Sequence, residues 1–168
     1  MIIVCPLIHA QTQIDTHGAS HVVSLLGPES PHRMFERVEA EKHLKLTFHD
    51  IAAPMPGFTA PSQETVHQIL SFIRGWGREA PMVIHCWAGI SRSTASAYMA
   101  QCLLHPHADE TELAQDLRDA SPSATPNALM IAYADHLLGR DGRMEKAIQS
   151  IGRGEDAYEG VPFVLRGR

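Results

Sequence analysis

Four short apolar runs, all in the first half of the chain, constrain the fold most. Ile2–Leu7, His21–Leu26, Leu44–Phe48 and Met82–His85 are rich in Val, Ile and Leu, as buried strands tend to be. Helical or turn segments separate them. The clearest is Pro61–Trp76, where Val66, Ile69, Leu70 and Ile73 mark one buried helix face and Pro61 suits a first turn. Gly75 and Gly77 stop it. Beyond residue 92 the pattern predicts helices alone. Ser91–Leu104 is rich in Ala, and Asp109–Ala120 carries acids in its first turn. Thr125-Pro126 reads as an N-cap and first helical residue of a helix to Leu138, closed by Gly139. Asp141 is placed to cap a last helix to about Ile151. Strands alternating with helices, followed by a helical half, predict an α/β or α+β layer architecture around one sheet.

The chain has 168 residues, enough for one domain. That domain is expected over residues 1–152. Residues 153–168, glycine-rich and without a period, read as a C-terminal tail. With 14 basic and 19 acidic residues the net charge is −5, which argues against an extended nucleic-acid surface. No segment reaches the roughly 20 apolar residues of a membrane helix, and Met1–Leu7 has no basic leader. A cytoplasmic protein with reduced thiols is expected. Three cysteines, an odd and small count, do not suit a secreted disulfide scaffold. Eleven histidines raise the question of metal. They lack ligand spacing: His17 and His21 straddle Gly18, and His105-Pro106-His107 reads as a helix-ending loop. Neither a metal nor a cofactor is expected.

The stretch that carries chemistry is Met82–Thr94, MVIHCWAGISRST. A buried strand runs into a short loop that opens a helix. Such a loop aims several backbone N–H groups into one concavity, and the helix dipole adds partial positive charge. Gly89 permits the positive φ where the loop must curl. Arg92 adds a planar fork able to hold two oxygens of a phosphate. The same field favours a thiolate at Cys86, hence a nucleophile. Ser93 is placed to donate its hydroxyl to the Cys86 sulfur, and His85 to fix the loop through its ring.

At these residues the sequence resembles the cysteine-dependent protein tyrosine phosphatases. His85-Cys86-x-x-Gly89-x-x-Arg92-Ser93 matches their His-Cys-x5-Arg-Ser/Thr signature, and the filling Ala88-Gly89-Ile90-Ser91-Arg92-Ser93 is most similar to the dual-specificity branch. The resemblance implies a three-layer fold, with a central, mostly parallel sheet of four or five strands flanked by helices. It implies phosphomonoester hydrolysis through a phosphocysteine at Cys86. The phosphate would be held by Arg92 and by the loop from Trp87 through Ala88, Gly89, Ile90 and Ser91. The family carries a general acid on a loop some thirty to forty residues before the cysteine. Asp50, 36 positions before Cys86, opens a Pro/Gly-marked loop there. His49 is the neighbouring candidate, and the family's aspartate favours Asp50. Arg118-x-x-Ser121-Pro122-x-x-x-Pro126-Asn127 resembles a later family stretch and suggests structural support by Asn127. The phosphotyrosine-clamp loop and Gln segment of long tyrosine-specific members have no match here, which implies a shallower, more permissive pocket.

The expected substrate is a phosphorylated protein or peptide: phosphotyrosine, with phosphoserine and phosphothreonine open. The same chemistry on a phosphoinositide, an inositol phosphate or an RNA 5′-triphosphate is the alternative. The absence of lysine at Trp87, Ala88, Ile90 and Ser91 speaks against it. A catalytically weak phosphate-binding module is a third reading, and such modules usually lose the Cys or the Arg. Cys5 and Cys102 read as packing residues. In some relatives a second cysteine protects the nucleophile, a part that would fall to Cys5.

Overall fold

The computed structural model describes residues 1–167. Five strands, β1 (Ile2–Pro6), β2 (His21–Leu26), β3 (His43–Thr47), β4 (Met82–Cys86) and β5 (Phe163–Leu165), form one sheet in the order β3-β2-β4-β1-β5. The first four run parallel, and β5 is antiparallel to β1. The mostly parallel, helix-flanked sheet expected from the sequence is therefore present. β1, β2 and β4 are buried almost throughout, which is why each reads as a continuous apolar run.

Alternation along the strands assigns two cores. Ile2, Val4, Val23, Leu25, Met82, Ile84 and Cys86 face the helical half. Ile3, Cys5, Val22 and Val83 face Ala10 and Ile14 of α1 (Ala10–His17) and the ring of Phe35. The helical half comprises α2 (Gln63–Gly75), α3 (Arg92–Leu104), α4 (Glu110–Ala120), α5 (Ala128–Leu137) and α6 (Arg143–Ser150). α3 is buried from Arg92 to Cys102, and its alanines let its neighbours approach from every side. No helix among the described residues is long and apolar enough to cross a membrane.

Several helix ends differ from the sequence reading. α2 is capped by Ser62, with a capping box to Thr65, so Pro61 precedes the cap. α5 begins two residues later than Thr125-Pro126 implies, because Asn127 is its N-cap and accepts from Met130 N. Asp141 does not cap α6. It takes a positive φ of 52° ahead of Gly142, and the amides of Gly142 and Met144 are met by Asp135 at 2.7 and 2.8 Å. A carboxylate from the preceding helix reaches those donors, a pairing that local sequence does not encode.

The segment expected to be a tail is bound to the body of the protein. Gly154 N donates to Thr125 Oγ1, Glu155 N to Pro122 O and Gly160 N to Ala88 O before the chain enters the sheet as β5. A three-residue strand is too short to show a period, and its approach is held by backbone bonds that composition does not reveal.

Candidate active site

β4 ends at Cys86 and α3 begins at Arg92, so the intervening loop sits at the carboxyl end of a central parallel strand. Its carbonyls are turned outward onto surrounding segments. Trp87 O accepts from Leu7 N, Ala88 O from Gly160 N, Ile90 O from Thr125 N and Ser91 O from Asn127 N, at 3.2, 2.8, 2.9 and 3.3 Å. Inside the loop Gly89 N donates to Cys86 Sγ at 3.2 Å, and the Ser93 hydroxyl lies 3.2 Å from the same sulfur. No side chain caps the start of α3, because the Ser91 hydroxyl is turned to Asp50 instead. Its first amides are thus left for an anion.

Arg92 is 6% exposed. Nη1 donates to Phe48 O at 2.8 Å, and the guanidinium lies 5.8 Å from the Phe48 ring. Its Nε is buried without a hydrogen-bond partner. An unsatisfied buried donor is costly, and a bound oxyanion would satisfy it.

Asp50 is on the exposed side of this loop. Its Oδ1 accepts from Ser91 Oγ at 2.7 Å and from Asn127 Nδ2 at 2.9 Å. Asn127 Nδ2 also donates to Ile51 O at 3.1 Å. Asn127 therefore joins the start of α5, the Asp50 loop and the Cys86–Arg92 loop. His49, the other acid candidate, is occupied differently. Its backbone N donates to Thr59 O and its Nδ1 accepts from Thr59 N, which closes the base of the Asp50 loop.

Behind the loop, His85 is fully buried, and burial holds its ring nitrogen down to about 4. Its Nδ1 is 3.4 Å from Cys86 O, its Nε2 is 2.6 Å from Ser24 Oγ, and the same hydroxyl is 2.7 Å from His43 Nε2. A carbonyl can only accept, so Nδ1 of neutral His85 carries the proton. Ser24 then donates to His85 and accepts from His43, which burial also holds at about 4. Phe35 packs against both rings, with centroids at 5.5 and 5.3 Å. Sequence reading found His85 but missed Ser24, His43, Phe35 and the Phe48 carbonyl. Register alone could have suggested Ser24, which lies opposite His85.

Cys5 is not placed to pair with Cys86. In the β1–β4 register it lies opposite His85, and its side chain belongs to the α1 face while Cys86 belongs to the other. Burial pushes the Cys5 and Cys102 thiols up to about 12, which disfavours the thiolate at both.

Comparison with known proteins places the chain in a family. The family model described as "Polymorphic toxin system, DSP-PTPase phosphatase" matches residues 12–109, more than half of the chain. The chain belongs to this phosphatase family. The match contains both Asp50 and the Cys86–Arg92 loop of this cysteine-dependent phosphatase. Among solved structures the chain is similar to DUSP15 (17% identity, 92% of this chain and 94% of that one, TM-score 0.60). It is also similar to human DUSP28 (16%, 90% and 95%, 0.61). A third likeness is to Tk-PTP in its active form (21%, 83% and 90%, 0.57). At these identities the likeness is one of fold. No curated protein is similar to the chain by sequence.

Proposed function

We propose that the phosphatase hydrolyses phosphotyrosine in proteins or peptides, with dual specificity, through a phosphocysteine on Cys86. The buried, unpartnered Nε of Arg92 is the observation that carries this reading, because it leaves a cationic donor at the end of the Cys86–Arg92 loop with no protein group to meet it. The Cys86 thiolate attacks phosphorus in line. Arg92 and the amides from Trp87 to Arg92 hold the three non-bridging oxygens and the charge that develops on them. Asp50, held by Ser91 and Asn127, protonates the departing oxygen. Water then attacks the phosphocysteine with Asp50 as base, and the Ser93 hydroxyl stabilises the departing thiolate. His85 steadies the nucleophile's own carbonyl.

Turnover of p-nitrophenyl phosphate tests this. Cys86→Ser and Arg92→Ala should abolish it. Asp50→Asn should lower kcat by about 10²–10⁴ and remove the descending limb of a bell-shaped pH profile. Mass spectrometry of acid-quenched Asp50→Asn should find phosphate on Cys86. Undiminished turnover by Cys86→Ser would overturn the reading.

A further inference from the structure

The catalytic loop has a neighbour that the phosphate chemistry leaves unused. A cavity of about 320 Å³ opens beside it, lined by Leu7, Ile8, Arg33, Trp87, Tyr158 and Glu159. Trp87, the residue after the nucleophile, is 42% exposed; Ile8 is 66% and Tyr158 82% exposed. The two aromatic rings meet edge to face, with centroids 5.5 Å apart. Both walls are bonded to the catalytic loop, through Leu7 N on Trp87 O and Gly160 N on Ala88 O. The third side belongs to the segment carrying Arg33, which Phe35 anchors against His43 and His85. Large apolar side chains gathered in the open beside a reactive centre mark a binding surface.

We infer that this cavity is a substrate subsite that selects a bulky apolar side chain next to the phosphorylated residue of a peptide. The inference rests on the phosphatase reading above and adds a specificity to it. Successive residues of a peptide lie 3.8 Å apart at Cα, so the residues flanking a phosphoresidue whose phosphate reaches Cys86 run across the exposed surface around the loop, to which Trp87 belongs. The lining favours an apolar occupant over a polyphosphate. Arg33 is its one Arg or Lys and Glu159 its one acid, so the formal charges cancel. Glu159 also lies 3.8 Å from His9. An inositol phosphate or nucleotide would need several cations there.

The test uses phosphotyrosyl peptides that differ only at the residues flanking phosphotyrosine, Leu or Phe against Gly. p-Nitrophenyl phosphate, too small to reach the cavity, is the control. Wild-type enzyme should favour the Leu and Phe peptides by about tenfold in kcat/KM. Tyr158→Ala and Ile8→Ser, whose folding circular dichroism checks, should bring the peptides to near parity and leave turnover of the aryl phosphate unchanged. Equal wild-type rates on all peptides would overturn the inference. A preference that survives both substitutions, or faster turnover of a nucleoside monophosphate than of every peptide, would do the same. Wild-type enzyme inert toward the aryl phosphate would overturn the phosphatase reading, and the inference with it.

Discussion

Gly89 shows how closely one residue can be constrained. Its φ is +71°, and a Cβ there would stand 2.6 Å from Pro6 N and 2.8 Å from Cys5 C. Both the backbone conformation and the backbone of β1 exclude a side chain. Gly89→Ala must push the loop away from β1 and carry the amide that now meets Cys86 Sγ with it. A displacement near 1 Å at reacting atoms costs about 10²-fold. We expect kcat on p-nitrophenyl phosphate to fall by about that factor while far-ultraviolet circular dichroism stays native. A fully active Gly89→Ala enzyme would show that the loop tolerates the shift. At this scale Cys86, Gly89, Arg92 and Ser93 were legible because their chemistry depends on spacing within one loop. Ser24 and His43 were not, since a serine and a histidine on separate strands carry no local signal until the sheet sets them beside His85.

Among the elements, the helical half is joined by a buried ionic contact. Arg140 Nη1 meets Glu110 Oε1 at 2.8 Å, and Nη2 donates to Cys102 O near the end of α3 at 2.7 Å. Nη1 also donates to Pro106 O, so one guanidinium ties the loop after α5 to α3, to the loop that follows it and to α4. Arg140 and Glu110 side chains are 9% and 8% exposed. Arg140→Ala would leave Glu110 buried and only Arg143 to face it, at 3.5 Å. Removing one partner of a buried pair destabilises by about 3–5 kcal/mol, and urea unfolding should register a loss of that order. A midpoint close to wild type would show that water or Arg143 replaces the guanidinium. The four parallel strands and the helices from α2 onward were legible from apolar pattern, whereas β5 and α1 were not. The caps of α5 and α6 were not, because Asn127 and Asp135 were chosen over their neighbours by what packs around them.

For the whole molecule, the buried polar row across the sheet makes stability depend on pH. Burial holds His43 and His85 at about 4, and His21 and His32 are lowered by the same cause. In the unfolded chain each takes a proton near pH 6.5. Between about pH 6.5 and 4 the unfolded state therefore binds more protons than the native state, and stability falls as pH is lowered through that window. Urea midpoints should drop from pH 7 to pH 5. His43→Gln, which removes one titrating group, should make the drop shallower. An unchanged slope in that variant would mean that His43 accepts a proton within the fold.

The sequence by itself determined the four parallel strands, the amphipathic α2, the loop from Cys86 to Arg92 and the position of Asp50, since each is written as a run, a period or a fixed spacing along one stretch of chain. Only the tertiary structure decided which groups satisfy that loop from outside: the carbonyl of Phe48 on Arg92, the amide of Asn127 on Asp50, and the backbone of residues 154–160 along Ser123–Thr125 and Ala88. These contacts join residues distant in the chain, and several are made by backbone atoms that every residue carries. Their identity is therefore set by how the sheet and helices pack, not by residue type.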